Sequence, residues 1–274
     1  MNDEINHILK SIENSEIIEY PFYHLFIENI FSDEFYEQLK EKCDNPEKID
    51  KRFQDNKNFT NSRFSIINSE DPILKNVENI FENEKIKLAL SSKFFEFPDS
   101  VVKSISLHKD EFEFVYTQEN KFQNIHTDIP SKFLSLVFYF PDESVTLSEQ
   151  DELDNGTILY NKNLEPIKSA RYKKNSVCVF APSMHSYHGF HTTTKRTALV
   201  MFYINKDLHT IYEKNINYGL QTKENRLKMF KFNIFNKLQS FPLIEYKNLS
   251  LIEEFKNCKI NEDRGRVMKK TLLI

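Results

Sequence analysis

Three stretches of this 274-residue chain, 133–140 (FLSLVFYF), 176–181 (SVCVFA) and 197–204 (TALVMFYI), are nearly continuous apolar runs. Runs of this length rich in β-branched and aromatic residues predict strands buried on both faces or closing a barrel. From Val101 onward short runs of the same character alternate with polar turns, and residues 111–116 place Phe112, Phe114 and Tyr116 on one face of a strand. The central fold is therefore expected to be a sandwich or barrel, mainly β with flanking helices. On the N-terminal side, Ile5, Ile8, Leu9 and Ile12 recur at helical spacing over 3–14, and the stretch after Pro21 reads as extended. Ser32 can cap a helix reaching Cys43 that buries Phe35, Tyr36 and Leu39, and the polar stretch 44–61 reads as loop. Pro72 suits the first turn of another helix carrying Ile73, Val77, Ile80 and Phe81, with a further helix over about 84–95. After Lys206 the spacing of Leu227, Phe230, Ile234 and Leu238 turns helical again. Residues 1–100 are read as support, 101–205 as the β core and 206–274 as a helical extension, together one structural domain.

Composition removes several function classes. Hydrophobic residues make up 39% and charged residues 28%, and 25 Phe with 12 Tyr are too many aromatics for a disordered chain. Only four glycines occur, so neither a glycine-rich dinucleotide fingerprint nor a phosphate-binding P-loop can be written. The formal charge is 37 − 41 = −4, which supplies no phosphate-tracking surface, and no nucleic-acid partner is expected. Cys43, Cys178 and Cys258 are odd in number and far apart, which fits a reducing cytoplasm better than a disulfide framework. The N-terminus MNDEINHILK is acidic where a signal peptide needs basic residues, and no apolar run approaches a membrane span. A cytoplasmic protein without a membrane association is the expectation.

The segment Asn124-Ile-His126-Thr-Asp128-Ile-Pro130 carries the chemical signal. In extended chain, residues two apart share a face with Cα atoms about 6.6 Å apart, so His126 and Asp128 can close on one cation. A third ligand is needed, and His185, His188 and His191 compete for it in the segment 184–191. Gly189 disfavours a helix there, so a ligand on a strand or strand edge is the better description.

These residues resemble the Fe(II)/2-oxoglutarate-dependent dioxygenases. The resemblance is carried by His126-Thr-Asp128, by Ser186-Tyr-His188-Gly189 sixty positions after the first motif, and by Arg196 eight residues beyond His188 at the start of an apolar strand. It spans about 110–205, and the surroundings HTDIPSK, FYFPDE and NGTILY look most like bacterial members of undefined substrate. It implies a double-stranded β-helix (jelly-roll, cupin-like) core, His126, Asp128 and His188 as iron ligands, and Arg196 as anchor for 2-oxoglutarate. Tyr116, ten residues before His126, resembles a tyrosine that some relatives use to contact this cosubstrate. Two imidazoles and one carboxylate leave three adjacent positions on Fe(II), enough for a bidentate 2-oxo acid and O₂. Guanidinium grips a carboxylate with two prongs, which the neighbouring Lys195 cannot reproduce. On a strand Arg196 shares its face with Ala198, Val200 and Phe202, and that face should point inward. Many relatives place Ser or Thr where this chain has Ala198; Thr197 or Tyr116 are candidates for the missing hydroxyl.

The resemblance implies hydroxylation with conversion of 2-oxoglutarate and O₂ to succinate and CO₂, with ascorbate as an accessory reductant. Asp128 favours hydroxylation over halogenation, because halogenating relatives replace that carboxylate with a small residue; desaturation or ring formation stays open as the outcome. A small-molecule metabolite is the first substrate expectation and a protein or peptide side chain the second. The competing functions are a cupin-like metal-dependent isomerase or small-molecule binding barrel, disfavoured by the scarcity of glycine, and a noncatalytic interaction domain. Other groups receive blander roles: His185 and His191 beside the site or in solvent, His7, His24, His108 and His209 structural or exposed, and Cys178 a small buried hydrophobe. The acidic stretch 142–154 reads first as a solvated loop and second as a lid over the substrate mouth, and Lys132 first as a lysine facing water and second as one that meets an anionic substrate.

Overall fold

The computed structural model describes residues 2–45, 61–66, 69–94, 105–108, 111–128, 132–183, 185–205, 260–261 and 266–267. The N-terminal helices form where the periodicity and the caps place them. Helix α1 (Asn2–Asn14) buries Ile5, Ile8 and Ile12. Helix α2 (Asp33–Asp44) starts at Ser32, whose hydroxyl accepts from the Phe35 amide at 3.3 Å and satisfies one orphan donor of the first turn. Helix α3 (Pro72–Glu82) is capped by Asp71, which accepts from the Ile73 and Leu74 amides, with Pro72 at the first position where no amide is required. Helix α4 (Glu84–Phe94) follows after Asn83.

The β core consists of two antiparallel sheets. Strands β1 (His24–Glu28), β2 (Asn61–Ser65), β3 (Ile105–Leu107), β4 (Glu113–Thr117), β6 (Lys132–Tyr139), β9 (Ser176–Phe180) and β11 (Arg196–Asn205) make a seven-stranded sheet. Its order is β1-β9-β6-β11-β4-β2, with β3 paired to the far end of β11. Strands β5 (Phe122–His126), β7 (Thr157–Tyr160), β8 (Pro166–Ala170) and β10 (His188–His191) form the second sheet in the order β5-β10-β7-β8. Strands β4 to β11, four in each sheet, build an eight-stranded jelly roll, or double-stranded β-helix, the chain crossing between the sheets at every step except the β7–β8 pair. The sandwich expectation is met, and all three apolar runs form its large sheet.

The large sheet is buried on both faces for a physical reason. One face, with Leu136, Phe138, Leu199, Met201 and Tyr203, packs under the helices against Ile8, Val77 and Phe81. Phe31 stacks on Phe138 at 5.4 Å and Phe81 meets it edge-on at 5.3 Å. Each such buried side chain contributes about 1.5–3 kcal/mol relative to exposure. The other face, with Val115, Val137, Cys178, Phe180, Val200 and Phe202, meets the small sheet. A strand with a core on each side has no polar face to alternate with, hence the continuous apolar runs.

The acidic stretch departs from the loop expectation. Residues Glu149–Asp154 form a short helix, α5, opened by a capping box in which Ser148 and Asp151 bond each other's backbone amides. The Ser-x-x-Asp spacing was present in the sequence and outweighs the solvated character of the run. Most of the polar stretch 44–61 and the anticipated C-terminal helices lie outside the described residues; in that tail only a two-residue pair, β12 (Ile260–Asn261) with β13 (Arg266–Val267), is described. Among the described residues no helix is long and apolar enough to cross a membrane.

His24, on β1, is 1% exposed; its Nδ1 lies 2.8 Å from the Phe22 carbonyl and its Nε2 has no hydrogen-bond partner. Burial lowers its pKa from 6.5, helped by the Lys168 charge and opposed by the Phe22 bond. The folded protein therefore takes up this proton at lower pH than the unfolded chain, so the stability it confers is full above about pH 6.5 and is lost on acidification below it. The unfolding temperature should fall on acidification below about pH 6.5, and His24→Leu should flatten that segment of the curve; thermal melts of both proteins across acidic pH are the check.

Candidate metal centre

The sheets bring His126 and His188 together directly. Strand β10 runs antiparallel to β5, and the two histidines are register partners with ring centroids 4.3 Å apart. Asp128 follows two residues after His126, just past the end of β5, and is buried. Ligand atoms of His126, Asp128 and His188 all lie within 4.8 Å of one another. Two imidazoles and a carboxylate are the donor types that non-haem iron(II) takes in its facial triad.

The tautomer of His188 suits that role. Its Nδ1 is 2.9 Å from the Ser186 carbonyl, which can only accept, so the proton sits on Nδ1 and the Nε2 lone pair faces the centre. The Phe180 ring packs against this imidazole at 4.6 Å and restricts its rotation. His191 is exposed and His185 half-buried, and neither joins the cluster. Cys178 is fully buried and its thiol is pushed up to about 12 by burial, which suits a small hydrophobe and not a nucleophile.

Asp128 is held by groups that sequence reasoning missed. Ser135 Oγ donates to Oδ2 at 2.7 Å, and Lys132 Nζ donates to Oδ1 at 3.3 Å. Far from facing water, Lys132 is fully buried, 2.5 Å from Glu111 and with its ammonium 3.1 Å from the centroid of the Phe202 ring. Burial pushes the Glu111 carboxyl up, but the Lys132 charge overcomes it, with His108 assisting, and holds the pKa at about 2. Lys132 reaches this position through a bulge. The β6–β11 register slips between Tyr203 and Ile204, where Phe133 is the extra residue, and this turns Lys132 onto the inner face with Ser135.

Arg196 stands in the same cavity, 2% exposed. Its Nε donates to the Asn155 carbonyl at 2.8 Å, and the guanidinium carbon lies 4.1 Å from the Phe190 ring centroid. Asn155 is itself fixed: its side-chain oxygen accepts from the Thr193 and Thr194 amides, and its amide nitrogen donates to the Asp151 carbonyl and the Thr193 hydroxyl. Arg196 does share its face with Ala198, Val200 and Phe202, and that face points inward. Val137, Phe180 and Phe190 line much of the rest, with Gln123 and Thr157 adding polar atoms, around about 540 Å³ of space that opens to solvent. Thr157 accepts from the buried Tyr139 hydroxyl at 2.6 Å.

Tyr116 is not brought to this group. It shares a face with Phe114 as expected, but that face packs under the helices, and the Tyr116 hydroxyl donates to the Cys43 carbonyl at 2.8 Å. The β4 residue lining the cavity is Val115. Thr197 is turned away from the Arg196 face; the hydroxyls that line the cavity belong to Ser135, which donates to Asp128, and to Thr157, on β7.

No protein-family model matches the chain, and no curated protein is similar to it in sequence. Several solved structures share distant similarity. A prolyl 4-hydroxylase from Phytophthora capsici is 12% identical with a TM-score of 0.46, over 93% of this chain and 89% of its own. A prolyl-4-hydroxylase from Pseudomonas putida is 10% identical with a TM-score of 0.45, over 73% and 92%. HygX from Streptomyces hygroscopicus, with nickel and 2-oxoglutarate bound, is 10% identical with a TM-score of 0.43, over 66% and 82%.

One glycine supports the Arg196 side of the cavity. A Cβ added at Gly156, between Asn155 and β7, would sit 2.1 Å from the Ala170 carbonyl oxygen, so the backbone of β7 or β8 would have to move. Gly156→Ala should destabilise the fold by about 1–3 kcal/mol, as overpacking does. Denaturant unfolding at constant slope is the measurement, and an unchanged midpoint would contradict the packing.

Proposed function

We propose that this protein is an Fe(II)/2-oxoglutarate-dependent dioxygenase that hydroxylates a small-molecule metabolite, converting 2-oxoglutarate and O₂ to succinate and CO₂. The observation that carries the proposal is the convergence of His126, Asp128 and His188 within 4.8 Å, in one cavity with buried Arg196. When bound, iron(II) with a chelated 2-oxo acid supplies the O₂ activation, one oxygen atom entering succinate and the other the substrate. The protein's own contribution is binding and orientation. His126, Asp128 and His188 would hold the metal, and the Arg196 guanidinium would receive the distal carboxylate of 2-oxoglutarate. The Thr157 hydroxyl, which accepts from Tyr139 and so has its own proton to donate, lines the same cavity and would add a bond to this carboxylate. Val137, Phe180, Val200 and Phe202 supply the apolar wall around the reacting centre.

A metabolite is the first substrate reading and a protein or peptide side chain the second. The catalytic unit is assigned to 101–205, with 1–100 supporting its outer face. Cytoplasmic residence is part of the proposal, supported by buried free thiols at Cys43 and Cys178. Anaerobic addition of 2-oxoglutarate to the iron-loaded protein should produce a weak visible metal-to-ligand charge-transfer band. Its absence from protein that holds stoichiometric iron would refute the cosubstrate. Succinate release stimulated by individual metabolites, with peptides as the comparison set, then separates the substrate classes.

A further inference from the structure

The two oxygens of Asp128 stand in different surroundings. Oδ2 is 3.9 Å from His188 Nε2 and accepts from Ser135, whereas Oδ1 is engaged by the buried ammonium of Lys132. From this we infer that Lys132 is a positioning residue that restricts Asp128 to one-point coordination through Oδ2, an inference that rests on the metal centre proposed above. A carboxylate free to turn could chelate a metal with both oxygens, and would then occupy one of the three positions needed by a bidentate 2-oxo acid and O₂. Turning Oδ1 toward the metal breaks its contact with Lys132.

The surroundings keep Lys132 in place at no cost in net charge. A lone buried ammonium is strongly unfavourable, but Glu111 on its other side and the Phe202 ring against it compensate. Glu111, Lys132 and Asp128 sum to −1, the charge of Asp128 alone. The metal therefore meets one formal negative charge, while the orientation of the carboxylate is set by a cation. The β6 bulge is the structural device that aims the lysine inward.

Mn(II) and infrared spectroscopy test this without turnover. The metal-loaded minus metal-free difference spectrum of the wild-type protein should show the wide separation of carboxylate stretching bands that marks one-point binding. Lys132→Met combined with Glu111→Gln removes one positive and one negative charge, so the net charge at the site is unchanged and any effect reports geometry. This double variant should bind Mn(II) about 10–100-fold more weakly, the usual consequence of losing a partner of a metal ligand, and its band separation should narrow. A narrow separation in the wild-type protein overturns the role of Lys132, whether or not the variant folds. So does a folded double variant with wild-type Mn(II) affinity and band separation. Failure of the wild-type protein to bind Mn(II) is a different result, and refutes the metal centre itself.

Discussion

Alanine at His126, Asp128 or His188 should abolish stoichiometric iron binding and lower substrate-dependent succinate release by about 10³-fold or more, the scale of several kcal/mol that a bound metal supplies to a transition state. The three changes should differ in their effect on the fold. His126→Ala and His188→Ala remove imidazoles at facing positions on β5 and β10, where the backbone pairing remains. Asp128→Ala also strips Ser135 and Lys132 of an acceptor; Lys132 keeps Glu111, but a buried serine hydroxyl left unmatched costs about 1–3 kcal/mol. Asp128→Ala should therefore show the lowest unfolding temperature of the three. Iron content, succinate release and thermal melts measured together separate loss of the metal from loss of the fold. A variant of any of the three that retained iron and turnover would remove that residue from the centre.

Arg196→Lys should raise the KM for 2-oxoglutarate by about 10–100-fold, from the loss of charge-assisted hydrogen bonds worth roughly 1.5–3 kcal/mol. Lysine keeps the charge but loses the planar fork, and with it the bond from Nε to the Asn155 carbonyl that fixes the guanidinium. Arg196→Met should have a larger effect, since the Asn155 carbonyl then loses its buried donor as well. Iron binding should be unaffected in both, because Arg196 is not among the metal-ligating side chains. An isomerase or binding barrel of cupin type has no need of 2-oxoglutarate, so titration of the cosubstrate against wild type and variants decides between the readings. Equal 2-oxoglutarate affinity in all three proteins would exclude Arg196 as the anchor.

Much of this site was legible from residue order. His126 and Asp128 fall two apart at a strand end, and the face of β11 that carries Arg196 follows from alternation once the strand is recognised. The case of Tyr116 shows where such reasoning stops. Alternation correctly joined it to Phe114, but both faces of the large sheet are buried, so periodicity held no information about which faced the second sheet and which the helices. Lys132 failed for a different reason: a single extra residue in β6 reversed its side, and a bulge depends on the register between strands, not on the strand's own pattern.

Local sequence determined the elements of this protein, because strand and helix periodicities, the caps at Ser32 and Asp71, and the capping box at Ser148 act over a few residues. It also determined the residue types that can hold a metal. Only the tertiary structure decided that His126 and His188 face each other, and that Lys132 and Ser135 hold Asp128, with Glu111 on the far side of Lys132. Those contacts are made by strand pairing and by the closing of two sheets over one core, where chain segments distant in sequence meet and their register selects which side chains share the enclosed space.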